Sequence, residues 1–186
     1  LLEQDADVPA MLAVSSAAIG LPDVPEWSVE SIAEQNWVQL TQSQFDPIRV
    51  SQRLWIVPSW HESPDPVAIN LVLDPGMAFG TGSHPTTRLC LEWLERNVVD
   101  GCSVLDYGCG SGILAIAAAR LGAGRVAGVD IDPQAVAAAR ANAERNGVAA
   151  TFADSTVPVA GEYDLVVANL LSNPLRVLAP AICAHV

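Results

Sequence analysis

Between Val104 and Gly112 the chain reads Val-Leu-Asp-Tyr-Gly-Cys-Gly-Ser-Gly, an apolar run that breaks into alternating glycines just before an Ala-rich stretch. A strand, a glycine turn and a helix in this order suit a nucleotide-type cofactor. Glycines let the backbone approach a ligand closely, and a helix N-terminus offers amide donors and partial positive charge to an anionic group. Here that group could be a carboxylate. Alone, a Gly-x-Gly pair is also what a plain tight turn contains. The reading strengthens at Asp130, which lies 22 positions after Gly108 and closes the next strand-like run, Gly128-Val129-Asp130. An acid at that strand end accepts the two hydroxyls of a ribose. Asp132 precedes Pro133 and supplies the cap of the following helix, which leaves Asp130 free for that role.

Dinucleotides and S-adenosylmethionine share this layout, and the third glycine position helps to separate them. The dinucleotide pattern wants glycine where Ile113 stands, for close approach to a pyrophosphate, whereas Gly108-x-Gly110-x-Gly112 suits a ligand without phosphates. A phosphate-binding P-loop needs a lysine, and all nine basic residues here are arginine. Cys90, Cys102, Cys109 and Cys183 stand singly without Cys-x-x-Cys spacing. They argue against a zinc site and a disulfide framework, and no metal is expected. His84 sits at a helix start and His61 in a linker, so both are expected to be structural.

These residues must be positioned by a parallel sheet. Strand signals at Val67 to Leu73, Val104 to Tyr107, Arg125 to Asp130, Ala150 to Ala153 and Asp164 to Asn169 alternate with helical ones that open at Pro85, Gly112 and Pro133. Such alternation predicts a Rossmann-like α/β sheet with covering helices. Gly147 marks the end of the helix that starts at Pro133. A further helix-like stretch covers Asn173 to Cys183. Ahead of the regular region, Pro9 to Ile19 and Glu34 to Gln44 read as helical, Leu54 to Val57 as a strand, and residues 61–66 as a linker. We therefore expect residues 1–60 to be part of a small α+β domain for substrate recognition with its linker, and 61–186 to be the cofactor-binding domain.

The composition, with 51% apolar residues and 16% charged, fits a folded chain of 186 residues dominated by one core. The longest apolar stretch, Gly112 to Val129, is interrupted by Arg120 and Arg125, and the N-terminus has no basic region followed by an apolar run. No membrane association and a cytoplasmic location are expected. A net charge of −12 would repel phosphate backbones and favours a basic protein over nucleic acid as partner.

Taken together, the segments Arg53-Leu54-Trp55-Ile56-Val57-Pro58-Ser59-Trp60, Leu73 to Thr87, Asp106 to Ala117, Asp130 to Ala135, Asn142 to Gly147 and Val166-Val167-Ala168-Asn169-Leu170-Leu171 resemble a known bacterial family. It is the class I methyltransferase family that modifies large-subunit ribosomal protein eleven, often called PrmA. The long loop before Pro85 makes the resemblance specific to this family. The resemblance implies S-adenosylmethionine as cofactor, with Thr87, Gly108, Asp130 and Asn169 touching it, and Gly110 belongs to the same turn. Thr87 falls in a first helical turn, where a hydroxyl and amides meet the amino-acid end of a ligand. Asn169 ends an apolar run at the carboxyl edge of the sheet, where open α/β folds place ligands, and is the catalytic candidate. At Asp154, a contact to the adenine amino group and a turn-forming role are both open.

The family's reaction implies methyl transfer to lysine and N-terminal amines of that ribosomal protein, by a monomer. Related enzymes acting on amide or nucleobase nitrogens carry two prolines and an aromatic residue after the Asn. Leu170-Leu171-Ser172 departs from that and favours an amine. A lysine of pKa about 10.4 must first lose its proton, at a cost of roughly 4.6 kcal/mol at pH 7. Desolvation favours the neutral amine, so we expect alignment rather than a strong base to drive the chemistry. Compared with the family, the chain stops at Val186 just after a helix, so the remaining C-terminal strands of the sheet are expected to be missing. Two alternatives stay open: a non-catalytic cofactor-binding or interaction module, and an NAD-dependent oxidoreductase.

Overall fold

The computed structural model describes residues 7–28, 45–74, 84–156 and 159–186. The chain forms two compact units, Leu1–Trp37 and Val38–Val186. In the first, helix α1 spans Val8–Ala18, started by the Asp7 carboxylate, which accepts from Ala10 N at 3.1 Å, and by a proline in its first turn. The expected helix at Glu34 to Gln44 and most of the loop between Asp74 and His84 lie outside the described residues.

In the second unit a small sheet comes first. Strand β1 (Ile48–Arg49) pairs antiparallel with β2 (Leu54–Val57), and β2 pairs parallel with β3 (Ile69–Val72), Leu54 facing Ile69. This pairing spans the boundary expected at 60/61. Val50, Leu54, Ile56, Leu71 and Leu73 bury into the same core as the helices downstream, so the segment that enters at residue 45 belongs to the second unit. The run Val67 to Leu73 likewise joins this small sheet instead of the main one. Linker-like prolines concealed the pairing, because the partner strand lies on the far side of them.

Helix α2 (Pro85–Asn97) leads to β4 (Ser103–Tyr107), α3 (Ile113–Arg120), β5 (Arg125–Asp130), α4 (Pro133–Arg145), β6 (Thr151–Asp154), β7 (Leu165–Val167) and α5 (Ser172–Cys183). The four strands β4 to β7 form a parallel sheet in the order β6-β5-β4-β7. The chain winds outward from β4 through β5 to β6 and then returns to the other side of β4. The carboxyl end of β4 is thus the topological switch point, the place where open α/β folds bind ligands. The Rossmann-like α/β class expected from the sequence is present.

One face of the sheet is closed by α3, whose residues Ile113 to Ala118 are all buried; its alanines allow close approach to the strands. The side chain of Asn146 ties the small sheet to the end of α4. Its Oδ1 accepts from Val72 N and its Nδ2 donates to Val72 O, both at 2.8 Å, so one amide mimics a neighbouring strand. Nearby, Asp74 accepts from Ser59 N at 2.7 Å and pairs with Arg145 at 3.3 Å. On the opposite face, Leu105, Ala127, Val129 and Tyr163 form a smaller apolar cluster beside an open cavity of about 430 Å³. Among the described residues, no helix is long and apolar enough to cross a membrane.

Candidate functional site

The glycine turn is fastened to the carboxyl end of β5. Gly108 N and Cys109 N both donate to Val129 O, at 2.8 and 2.9 Å, and Gly112 N donates to Cys109 O at 2.7 Å. Gly108 and Gly110 have φ of 81° and 52°, which L-residues rarely adopt. At Gly108 the constraint is double, since a Cβ would also run into the side chain of Leu170. No side chain caps α3 at Gly112. Ala115 N, however, is already taken by the Asp106 carboxylate at 3.1 Å, so the first-turn amides are not all available to a ligand as the sequence suggested.

Asp130 is not left free by the cap at Asp132. Asp132 Oδ1 does accept from Gln134 N at 2.8 Å, but Asp130 Oδ2 accepts from Gly110 N at 2.8 Å and its Oδ1 from Asp132 N at 3.0 Å. The reason is geometric: β4 and β5 pair side by side, with Tyr107 facing Val129, so the turn after one strand meets the acid ending the next. Asp130 is half-buried, and a carboxylate has about four lone-pair sites, so it retains acceptor capacity toward a pair of hydroxyls. Asp154 faces Asp130 in the β5–β6 ladder, but its Oδ1 accepts from Thr156 N at 2.8 Å. That is the turn-forming use, and bonding to Thr156 holds its carboxyl below the ordinary range.

Thr87 and Asn169, 82 positions apart, are brought into contact. Asn169 Nδ2 donates to Thr87 Oγ1 at 3.0 Å, and Thr87 is buried. Helix α2 positions the hydroxyl: His84 Nδ1 accepts from Thr86 N at 3.2 Å as the N-cap, and Thr87 N donates to His84 O at 3.1 Å. His84 therefore has a structural task at this helix start, and the His61 ring lies 3.9 Å from Asp46, beside the small sheet. The two pairs, Gly110 with Asp130 and Thr87 with Asn169, are joined through Leu170. It follows Asn169 in the chain and lies against Gly108.

Three supporting residues escaped the sequence reading. Asn142 of α4 donates through Nδ2 to Ser111 O at 2.9 Å, holding the glycine turn from the helix side. Leu170 sits on the turn. Asp106 is wholly buried beneath it, and burial raises its carboxyl to about 7 despite the bond from Ala115 N. Its signal was a carboxylate inside an otherwise apolar strand, a type that is seldom buried unless it is partnered. Cys109 is buried too, and desolvation with the nearby Asp106 and Asp130 pushes its thiol well above the usual range, which makes it a poor nucleophile.

The arrangement is a glycine turn at the switch point of a parallel sheet, with one carboxylate at the next strand end and an Asn–Thr pair on the other side. Comparison with known proteins agrees in one direction. Residues 1–186 match the family model described as ribosomal protein L11 methyltransferase (PrmA). The chain is 83% identical over its whole length to the ribosomal protein L11 methyltransferase of Dechloromonas aromatica and 62% identical to that of Thiobacillus denitrificans, and it spans 63% of the length of each. Among solved structures it resembles the ribosomal protein L11 methylase of Lactobacillus delbrueckii subsp. bulgaricus. The TM-score is 0.68 and the identity 39%, over 76% of this chain and 75% of the other.

Proposed function

This chain belongs to the family of ribosomal protein L11 methyltransferases, and we propose that it binds S-adenosylmethionine at the glycine turn as part of an enzyme that methylates ribosomal protein L11. The observation that carries this reading is the bond from Gly110 N to Asp130 Oδ2, which sets an acid for a ribose against a turn that can take no bulky side chain. The absence of glycine at Ile113 and of any lysine favours this cofactor over a dinucleotide or nucleoside triphosphate. When bound, the cofactor supplies an electrophilic methyl group on a sulfonium.

Residues of the chain then have the following tasks. Gly108 and Gly110 give backbone access, and Asp130 holds the ribose hydroxyls. Thr87 meets the amino-acid end and fixes the Asn169 amide. With its Nδ2 on Thr87, Asn169 presents its carbonyl oxygen as the acceptor that orients an incoming amine, and is the catalytic residue in this reading. The His84 imidazole is engaged at its helix cap. Alignment and desolvation of the amine therefore carry the rate. Lysine and N-terminal amines of the ribosomal protein are the proposed acceptors, reached by a monomer in the cytoplasm, with the N-terminal unit, Leu1–Trp37, contributing to substrate recognition. The chain's net charge of −12 suits a basic protein partner.

Calorimetric titration with S-adenosylmethionine and with NAD, on the native chain and on Asp130→Ala, tests the cofactor assignment. Binding of the first ligand alone, lost by at least tenfold in the variant, is the expected result. Binding of NAD instead would return the oxidoreductase reading. Tight S-adenosylmethionine binding with no transfer to ribosomal protein L11 would leave a cofactor-binding module.

A further inference from the structure

The sealed carboxylate under the glycine turn has no role in the cofactor scheme above, yet it occupies a costly position. Asp106 is 1% exposed at the end of β4, two residues before Gly108. Its Oδ2 accepts from Ala115 N across the turn, while Oδ1 is buried with no hydrogen-bond partner. Among the described residues, the groups around it supply no positive charge. Along β5 the register places Gly128 beside it, with Asp130 two residues on; along β7 it meets Val167. Cys109 in the turn and Cys90 on α2 both feel its charge, and burial raises each thiol, so each stays protonated. An ionised carboxylate in such a place, with one oxygen unsatisfied and a second carboxylate nearby, is strongly disfavoured.

We propose that Asp106 carries a proton in the ligand-free chain and releases it when a cationic ligand settles on the glycine turn, making cofactor binding proton-coupled through a side chain sealed beneath the site. This rests on the cofactor reading above. S-adenosylmethionine, with its sulfonium and ammonium against one carboxylate, is a net cation. Seated on the turn above Asp106, its positive charge lowers the cost of ionising the acid that burial keeps protonated. The proton leaves Oδ1 for solvent, and the carboxylate gains a counter-charge in exchange. Asp106 is thus a positioning residue: its Oδ2 holds the start of α3, and its charge state reports what lies on the turn. The carboxyl titrates at about 7, which puts the exchange in the neutral range.

The coupling has a definite sign. Below about pH 7 the free chain holds the proton and must lose it on binding. Affinity therefore rises with pH, on the order of tenfold between pH 6 and 8, and then levels. Titration calorimetry in two buffers of different ionisation enthalpy counts the protons released. The native chain is expected to release most of one proton at pH 6 beyond what the ligand's own amine contributes, and Asp106→Asn to lose that excess together with the pH slope. Equal release from both chains would overturn the proposal. Should the variant fail to fold, difference infrared spectra of the native chain decide. A protonated carboxyl band in the ligand-free chain at pH 6 that disappears on adding S-adenosylmethionine supports the coupling, and no such band, or one unmoved by the ligand, overturns it. If the ligand binds at no pH, the cofactor reading itself fails and the coupling with it, whereas a band that persists beside measurable binding refutes the coupling alone.

Discussion

Replacing Gly108 by Ala tests whether the turn is shaped by its surroundings or only by its own backbone. The residue sits at φ 81°, where an L-side chain costs roughly 1–2 kcal/mol. A Cβ there also meets the Leu170 side chain, an overpacking whose usual cost is about 1–3 kcal/mol. The sum is about 2–5 kcal/mol. At about 2–4 °C per kcal/mol for a chain of this size, the thermal midpoint should fall by roughly 4–20 °C. Gly147 is the matched control, with φ 62° and nothing within 4 Å of an added Cβ. Gly147→Ala carries the backbone cost alone and should lower the midpoint by only a few degrees. Adding Leu170→Ala to Gly108→Ala removes the collision and should recover part of the loss, relative to the Leu170→Ala background. Scanning calorimetry on the four variants gives the cycle. If Gly108→Ala costs no more than Gly147→Ala, and Leu170→Ala rescues nothing, Leu170 does not lie on the turn and the link between the two halves of the site is wrong.

Other expectations follow from single contacts. Asn146→Ala leaves both the amide and the carbonyl of Val72 without their partner, and should lower the unfolding free energy by about 2–4 kcal/mol in urea titrations; a loss below about 1 kcal/mol would mean that water replaces the amide freely. Thr87→Val keeps the shape but removes the acceptor of Asn169 Nδ2, and should weaken S-adenosylmethionine binding by about 5–10-fold in calorimetry with little change in folding stability. Asp106 also predicts a stability profile. Its folded carboxyl titrates at about 7, above the ordinary value of 3.8, so the folded chain binds more protons than the unfolded one between those limits. Stability contributed by this group should thus fall as pH rises from about 4 to 7 and stay flat above, and Asp106→Asn should flatten that limb in denaturant midpoints measured across it. Asp164 behaves in the opposite sense: bonds from the Ser103 hydroxyl and backbone N depress its carboxyl, so its contribution is present above about pH 4 and is lost as pH falls, and Ser103→Ala, which removes only the hydroxyl bond, should reduce that acid-side loss.

What the sequence revealed and what it concealed divide along a physical line. The strands and helices of the main sheet were readable because each is announced locally, by an apolar run, by Pro133 after Asp132, by Gly147 at a helix end. That the glycine turn and Asp130 share one end of the sheet was readable because it depends on spacing within one βαβ unit. Contacts between distant segments left no such mark. The pairing of β2 with β3 bridges a proline-rich stretch that looks like a boundary, and the Asn146 amide beside Val72 lies 74 positions away from its partner. Asp130 shows the limit most clearly. Local rules assigned the cap correctly to Asp132 and then inferred that Asp130 was unengaged, yet one of its oxygens accepts from Asp132 N two residues on, and the adjacency of β4 and β5 gives the other to Gly110 N. An acid bound to the turn is better placed for a ribose than a free one, since its orientation is fixed before the ligand arrives and less freedom is lost on binding. Burial beneath the turn is the main cause that raises the Asp106 carboxyl, and the same strand adjacency adds the repulsion of Asp130 to it.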